Sequence, residues 1–258
     1  MKLQLFSLDG RVAVVVGGTS GIGRAISLGL VEIGADVIAT SRRQQQVEDT
    51  AREIEARGRQ TLRMTSDVSD RAPLEKLRDA ALARFGKVDI FVNCAGMIKR
   101  RPTLDIPVTE WNQMLDTNLT GTLRACQVFG RSMLERGYGR IINIASLNSF
   151  VALKEVAAYA ASKAGVASLT RSLAVEWSMN GITVNAVAPG VFRTDLNAGL
   201  LDNTTRGQEL LMRTPMGRFG ETEELVGPVV YLASDNASFV TGQILAVDGG
   251  FLASGVNQ

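Results

Sequence analysis

The feature that most constrains the fold is the alternation of short apolar runs with longer segments of helical periodicity. The runs are rich in β-branched residues and predict seven strands, at 11–16, 35–40, 60–65, 88–93, 139–146, 182–189 and 243–248. Several runs are apolar throughout, which is typical of central strands covered by helices on both faces. The sequence therefore predicts an α/β fold, with a doubly wound, mostly parallel sheet of about seven strands.

The intervening segments predict helices at 21–34, 46–58, 74–86 and about 109–136, and the first three end in glycine, a usual helix stop. No linker or repeat divides the chain, so residues 1–258 are predicted to form one domain. The interval 192–219 differs, because it lacks a clear strand and follows the carboxyl end of a predicted strand. It is either a substrate lid or a pair of ordinary surface helices.

The charge balance restricts the kind of partner. The chain has 28 basic and 26 acidic side chains, a net charge of +2, so neither nucleic acid nor an anionic membrane is expected and a small molecule is. No apolar run approaches the roughly 18 residues of a membrane helix, and the start of the chain does not resemble a signal peptide. The chain has two cysteines, and their spacing does not suggest a disulfide framework. These features together predict a cytoplasmic protein.

The absence of histidine restricts the chemistry. Histidine is the commonest base of serine and cysteine hydrolases and a frequent zinc ligand, so those mechanisms are largely excluded. An enzyme built on this chain must move protons with a carboxylate, tyrosine, lysine or cysteine.

A glycine-rich turn follows the first predicted strand. Gly17, Gly21 and Gly23 stand in "GGTSGIG", just before a helical run. Glycines allow a tight turn and let backbone N–H groups approach a pyrophosphate at the helix N-terminus. The spacing differs from the common G-x-G-x-x-G, but the position after the first strand favours a dinucleotide site.

The end of the second predicted strand selects the dinucleotide. An acid there accepts from the ribose 2′-hydroxyl of NAD, whereas arginine suits the 2′-phosphate of NADP. This chain has Ser41, Arg42 and Arg43 and no carboxylate, which favours NADP(H). The alternative is that both arginines only cap a solvated helix start.

Six motifs together resemble the short-chain dehydrogenase/reductase family: "GGTSGIG", "NCAG" at 93–96, Asn118, "IAS" ending at Ser146, "YAASK" at 159–163 and "PG" at 189–190. The likeness runs from about residue 8 to 251. It implies a Rossmann-type domain that passes a hydride between a nicotinamide and an alcohol or carbonyl carbon, without a metal. It also implies that Tyr159 is the proton donor or acceptor, Lys163 its partner, Ser146 the substrate anchor and Asn118 the holder of a relay water.

The chemistry of these residues agrees with those roles. A free tyrosine has a pKa near 10, and a nearby ammonium group lowers it, which Lys163 is placed to do. Residues four apart share one helix face, so Tyr159 and Lys163 can meet the same substrate oxygen. The structural alternatives are a Tyr159 packed in a core, and a Ser146 or Asn118 that caps a helix.

The resemblance extends the cofactor site to further residues. Thr19, Ser20 and Ile22 belong to the glycine motif, Asp67 and Val68 are expected at the adenine, and Asn93, Ala95 and Gly96 along the ribose. Pro189, Gly190, Val191 and Thr194 are expected at the nicotinamide carboxamide. Two positions depart from the family pattern, because Val16 replaces a common threonine and Cys94 replaces the second asparagine of N-N-A-G.

The substrate is suggested by a narrower likeness. "FSLDG", "AGMIKRRP" at 95–102 and the tail from 217 resemble gluconate 5-dehydrogenase and 2-deoxygluconate 3-dehydrogenase type enzymes. Arg100 would then bind the carboxylate of a sugar acid such as gluconate or 5-ketogluconate, unless 99–101 is only a solvated basic loop. The alternatives are a 3-oxoacyl-thioester reductase and, in a different class, a catalytically silent NADP(H)-binding regulator.

The family resemblance also implies a homotetramer. Its interfaces are expected to include the helices around 109–136 and 156–180 and the C-terminal segment 248–258.

Overall fold

A computed structural model describes residues 6–194 and 197–255, and within them the chain forms one parallel sheet. Its six strands are β1 (Val12–Val16), β2 (Asp36–Thr40), β3 (Ile90–Asn93), β4 (Gly139–Ile144), β5 (Ile182–Pro189) and β6 (Ile244–Val247). Their order across the sheet is β2-β1-β3-β4-β5-β6, and every pair is parallel. The doubly wound α/β prediction is thereby confirmed.

Helices cover both faces of this sheet. They are α1 (Gly21–Glu32), α2 (Gln44–Ala56), α3 (Arg71–Phe85), α4 (Val108–Leu115), α5 (Gly121–Arg136), α6 (Ala157–Trp177), α7 (Ala198–Leu201), α8 (Thr205–Met212) and α9 (Val226–Ala233). One core cluster joins the strands to α1 and α9, and a second joins them to α3, α5 and α6. Central strands buried on two sides explain why their sequences are apolar throughout.

The predicted strand at 60–65 is not a strand in the structure. The segment runs beside β2, but only scattered bonds join them, such as Val37 N–H to the Gln60 carbonyl at 3.2 Å. The Thr40 hydroxyl donates to the Met64 carbonyl at 2.6 Å, so side chains replace part of a backbone ladder. The sheet therefore has six strands in the described residues, against the seven predicted.

The predicted helix at 109–136 is interrupted. A π-helical turn, Asp116–Thr120, separates α4 from α5. Such turns are rare and frequently mark functional sites, and this one contains Asn118. Among the described residues no helix is long and apolar enough to cross a membrane.

Candidate active site

The glycine turn after β1 is packed so closely that side chains would not fit. Gly17 has φ +71°, and a Cβ on it would lie 2.8 Å from the Ala95 nitrogen. A Cβ on Gly23 would lie 2.0 Å from the Gly17 carbonyl oxygen. Ser20, the N-cap of α1, makes no side-chain cap bond, so first-turn N–H groups stay available to an anion. This turn, which also contains Thr19, Gly21 and Ile22, fits a pyrophosphate.

The carboxyl end of β2 lies beside that turn. The Thr19 hydroxyl donates to the Ser41 hydroxyl at 2.7 Å, and Arg43 Nη2 lies 3.5 Å from Ser20 Oγ. Arg43 is the N-cap of α2 but makes no side-chain cap bond there. Arg42 is exposed and forms no hydrogen bond or ion pair with any described residue. Both guanidinium groups are thus available to a phosphate, and neither caps the helix with its side chain.

The residues expected along the adenosine half of the cofactor follow the next strands. Asp67 Oδ1 accepts from both the N–H and the hydroxyl of Ser69, at 2.9 and 2.7 Å. Val68 is buried, and its side chain would meet a Cβ on Gly121 at 2.9 Å. These contacts shape the loop after the 60–65 segment.

Asn93 is the last residue of β3, and its side chain makes two hydrogen bonds. Its Nδ2 donates to the Thr122 hydroxyl at 2.7 Å, and its Oδ1 accepts from the Ala95 N–H at 3.3 Å. Gly96 follows, and a Cβ on it would lie 3.4 Å from Asn118 Oδ1 and 3.7 Å from Lys163 Nζ. The chain after β3 therefore passes directly over the predicted catalytic residues.

Asn118 is fully buried in the π-helical turn and is fully hydrogen-bonded. Its Oδ1 accepts from the Met97 N–H and its Nδ2 donates to the Met97 carbonyl, both at 2.8 Å. The same Nδ2 lies 3.0 Å from Ser162 Oγ on α6. Asn118 thus joins the loop after β3 to the helix that carries Tyr159 and Lys163.

Ser146, Tyr159 and Lys163 come together at the carboxyl end of β4. Ser146 follows β4 by two residues and accepts from the Asn148 N–H at 3.2 Å. Tyr159 and Lys163 lie on α6, with Nζ 5.8 Å from the centroid of the tyrosine ring. Lys163 is buried, and its Nζ donates to the Ile144 carbonyl at 2.6 Å.

The pKa values of the pair differ from the expectation. Burial raises the pKa of Tyr159, and a hydrogen bond with Ser146 opposes that shift. Burial also lowers the pKa of Lys163 to about 8. Burial is the largest cause of both shifts, and the Lys163 ammonium donates to the Ile144 carbonyl.

The residues expected at the nicotinamide lie at the next strand end. Pro189 ends β5, and the Gly190 N–H donates to the Val247 carbonyl at 2.8 Å. The Val191 carbonyl accepts from the Gly220 N–H at 2.9 Å. A Cβ on Gly21 would lie 3.7 Å from Thr194 Cγ2, so this segment reaches the glycine turn. The two halves of the predicted cofactor site therefore form one continuous surface.

The basic run at 99–101 is paired with acids. Arg100 Nη2 lies 2.6 Å from Glu155 Oε2. Lys99 and Arg101 both pair with Glu110, at 3.4 and 3.1 Å. The run is therefore neither a bare anion site nor an unpaired solvated loop.

The segment 192–219 contains the short helices α7 and α8, although residues 195 and 196 lie outside the described part of the chain. Arg193 pairs with Asp202, with Nη2 2.7 Å from Oδ2. Arg206 Nη1 lies 3.5 Å from the Lys154 carbonyl, near the start of α6. The segment therefore lies against the loop that leads to Tyr159.

Sequence reasoning missed three participants. The Ile144 carbonyl and the Ser162 hydroxyl hold Lys163 and Asn118, and Glu155 holds Arg100. A backbone carbonyl carries no sequence signal. Glu155 carried none either, because its partner Arg100 stands 55 residues earlier in the chain.

The chain is similar to known dehydrogenases and reductases over almost its whole length. A family model described as enoyl-(acyl carrier protein) reductase matches residues 16–252. The 2-dehydro-3-deoxy-D-gluconate 5-dehydrogenase of Bacillus subtilis (strain 168) is 42% identical over 96% of this chain and 97% of its own. The 3-oxoacyl-(acyl-carrier-protein) reductase of Salmonella typhimurium is 38% identical over 95% and 98%.

A solved structure is similar over the whole length. It is a gluconate 5-dehydrogenase from Burkholderia cenocepacia J2315 in complex with NADP and tartrate. It is 37% identical, covers 99% of this chain and 100% of its own, and superposes with a TM-score of 0.94.

Proposed function

Because this chain belongs to the short-chain dehydrogenase/reductase family, we propose that it transfers a hydride between NADP(H) and a secondary alcohol or ketone of a sugar acid, such as gluconate or 5-ketogluconate. The observation that carries the proposal is the meeting of Ser146, Tyr159 and Lys163 beside a glycine turn that fits a dinucleotide. As in its relatives, the reaction class is oxidoreduction at a CH–OH group.

Each residue has a distinct task in the proposed mechanism. Tyr159 gives a proton to the carbonyl oxygen during reduction and takes it back during oxidation, and Ser146 holds the same oxygen. Lys163 would hold the ribose of the cofactor, and its positive charge, 5.8 Å from the centroid of the tyrosine ring, would favour the phenolate. Asn118 fixes the π-helical turn and the Met97 backbone, where a relay water would bind. The bound nicotinamide supplies or accepts the hydride.

Arg42 and Arg43 support NADP(H) over NAD(H). Both are exposed just after the carboxyl end of β2, and the sequence from Ser41 to Arg43 has no carboxylate to repel a 2′-phosphate. The Burkholderia relative was solved with NADP. We expect turnover with NADP or NADPH to exceed that with NAD or NADH when the two are measured side by side. A clear preference for NAD(H) would contradict this assignment.

Sugar acids are favoured by the names of the relatives and by Arg100. The Bacillus relative is a dehydrogenase of a sugar acid, and so is the Burkholderia one. Arg100 stands in the loop after β3, three residues beyond Met97, and can offer its planar fork to a carboxylate. The Arg100→Ala variant should therefore raise KM for acidic substrates much more than for neutral ones.

The second candidate is a 3-oxoacyl-thioester reductase, which the Salmonella relative favours. A silent NADP(H)-binding regulator is disfavoured, because both Tyr159 and Lys163 are present at the site. One panel of sugar acids, polyols, ketones and 3-oxoacyl thioesters, each assayed with both cofactors, separates these functions.

The Tyr159→Phe variant is the control for that panel. It keeps the ring and loses the proton, so turnover should fall by about 10²-fold or more while cofactor binding persists. If the wild type turns over nothing in the panel, or if the variant keeps full activity, the proposed enzyme function is wrong.

The proposed function extends to the assembly and the lid. Apolar side chains of Val175, Met179, Phe239 and Leu245 are exposed, and β6 is an edge strand, which favours burial in a cytoplasmic homotetramer. Residues 256–258 of the predicted C-terminal interface lie outside the described part of the chain. The segment 192–219 is proposed to cover the substrate. Light scattering of the purified protein tests the homotetramer directly.

A further inference from the structure

Arg100 meets a carboxylate of its own chain. Glu155 approaches it to 2.6 Å, and the Glu155 carbonyl accepts from the Arg101 N–H at 2.8 Å. The neighbouring cations are occupied elsewhere, because Lys99 and Arg101 pair with Glu110. Within this basic run, Arg100 is thus the cation whose charge Glu155 balances.

The Arg100–Glu155 pair is linked to the catalytic residues on both sides. The loop that carries Arg100 starts at Met97, whose backbone N–H and carbonyl are both bonded by Asn118. Glu155 lies just before α6, four residues ahead of Tyr159. The pair therefore stands where the loop after β3 meets the start of the catalytic helix.

The backbone of Glu155 adopts a conformation that is uncommon for glutamate. Its φ is +67°, in the left-handed region that glycine or asparagine adopts more easily. A glutamate in this conformation costs backbone energy that asparagine would largely avoid. Unlike asparagine, glutamate at this position places a carboxylate within reach of Arg100.

The pairing leaves Arg100 able to bind another anion. Nη2 of the guanidinium lies 2.6 Å from Glu155 Oε2, and no described residue other than Glu155 forms an ion pair with Arg100. The Arg100 and Glu155 side chains are 40% and 22% exposed, so the pair is partly solvated and weak. A substrate carboxylate can offer two oxygens to the same fork.

We propose that Glu155 is a specificity-determining residue that weakens the attraction of Arg100 for acidic substrates. This inference rests on the proposed function, since it assumes that Arg100 meets the carboxylate of the substrate. Glu155 competes with that carboxylate for the guanidinium and adds a negative charge beside it. Acidic substrates and products consequently bind less tightly than they would to Arg100 alone, which favours their release.

The test compares charge-removing variants at this position. Glu155→Gln keeps the length of the side chain, and Glu155→Asn suits the left-handed backbone. If one of the two variants fails to fold, the other still allows the measurement. Both should lower KM for gluconate by roughly fivefold and affect the KM of a neutral ketone or polyol much less. Glu155→Asp keeps the charge and should stay closer to the wild type.

The Arg100→Ala protein shows whether Glu155 acts through Arg100, because the Glu155 substitution can be repeated in it. If Glu155 acts through Arg100, then Glu155→Gln has no further effect on gluconate affinity in the Arg100→Ala protein. Glu110→Gln is the matched control, because it removes the carboxylate that pairs with Lys99 and Arg101 and leaves the partner of Arg100 in place. An equal gain in gluconate affinity in Glu110→Gln, or a gain that persists without Arg100, would overturn the proposal.

The failure of this inference is distinguishable from that of the proposed function. When gluconate is turned over but Glu155→Gln leaves its KM unchanged or raised, the role of Glu155 is refuted and the function remains. When only neutral substrates are turned over, gluconate is assayed as an inhibitor. A tighter inhibition constant in Glu155→Gln then supports the inference without the proposed substrate, and an unchanged one overturns it.

Discussion

At the scale of single residues, the pairing of Tyr159 with Lys163 follows from their spacing, but their electrostatics do not. Positions four apart on one helix face the same side, and the structure places Nζ 5.8 Å from the ring centroid. Whether the lysine acts on the tyrosine depends on where its ammonium is directed. Here the Lys163 ammonium donates to the Ile144 carbonyl, and burial is the largest cause of the pKa shifts of both residues.

This arrangement predicts that Tyr159 stays protonated in the cofactor-free protein. Burial raises its pKa relative to a free tyrosine, and it raises the pKa of Tyr138 to about 12. Because the chain has 3 tyrosines, the absorbance difference near 295 nm between the wild type and Tyr159→Phe isolates one phenol. We expect Tyr159 to ionise at a higher pH than a free tyrosine does. A transition that is absent from Tyr159→Phe and has its midpoint below pH 9 would contradict this.

Other residues of the site were beyond sequence reasoning for a physical reason. Arg100 was predicted from its type and position, whereas its partner Glu155 lies 55 residues away along the chain. Ion pairs between distant loops depend on the final packing, which no local pattern encodes. The glycine turn, in contrast, was predictable, because Gly17 and Gly23 stand where side chains would clash.

At the scale of elements, the strands were predicted best where they are buried on both faces. β5 has the predicted bounds, 182–189, and the other strands that formed differ by up to two residues at an end. The 60–65 run failed because it lies at the sheet edge, where polar side chains such as Thr40 replace backbone bonds. The π-helical turn at Asp116–Thr120 also escaped prediction, since its residues fit ordinary helical periodicity.

The side chain of Asn118 joins the π-helical turn to the Met97 backbone, and this link tests how an element supports the site. Asn118→Ala leaves the Met97 N–H and carbonyl without their partner, and such buried groups cost about 1–3 kcal/mol each. We expect a lower melting temperature together with a loss of kcat. The matched control is Asn112→Ala on α4, an exposed asparagine. Equal melting temperatures for the two variants would show that the turn does not need its buried amide.

At the scale of the whole molecule, the carboxyl and amino ends of the strands differ in function. The predicted catalytic and cofactor residues follow the carboxyl ends of β1 to β5, as expected for ligands of an open parallel sheet. The opposite edge carries an ionic cluster around Asp89, which precedes β3 and is fully buried. Its carboxylate accepts from the Val12 N–H at 2.9 Å and from Arg136 at 2.9 Å, and Lys87 lies 3.0 Å away.

This cluster predicts how stability depends on pH. Burial acts to raise the pKa of Asp89, but the hydrogen bonds from Arg136, Val12 and Lys87 outweigh it, and the net pKa is lowered. A lowered pKa in the folded state contributes stability above the ordinary aspartate pKa of about 3.9, and that contribution is lost as the pH falls through the folded value.

Asp89→Asn should therefore reduce the free energy of unfolding by about 3 kcal/mol at pH 7, because the cations lose their buried partner. The deficit should shrink as the pH falls below about 4, because the unfolded wild-type chain then binds a proton that the folded carboxylate, with its lowered pKa, takes up only at still lower pH. Urea unfolding at several pH values measures both, with Asp79→Asn on the exposed face of α3 as the control. Since Asp89 lies at the edge remote from the site, kcat of the folded variant should stay at the wild-type value. A deficit that is constant from pH 7 to pH 3 would assign the loss to packing and not to charge.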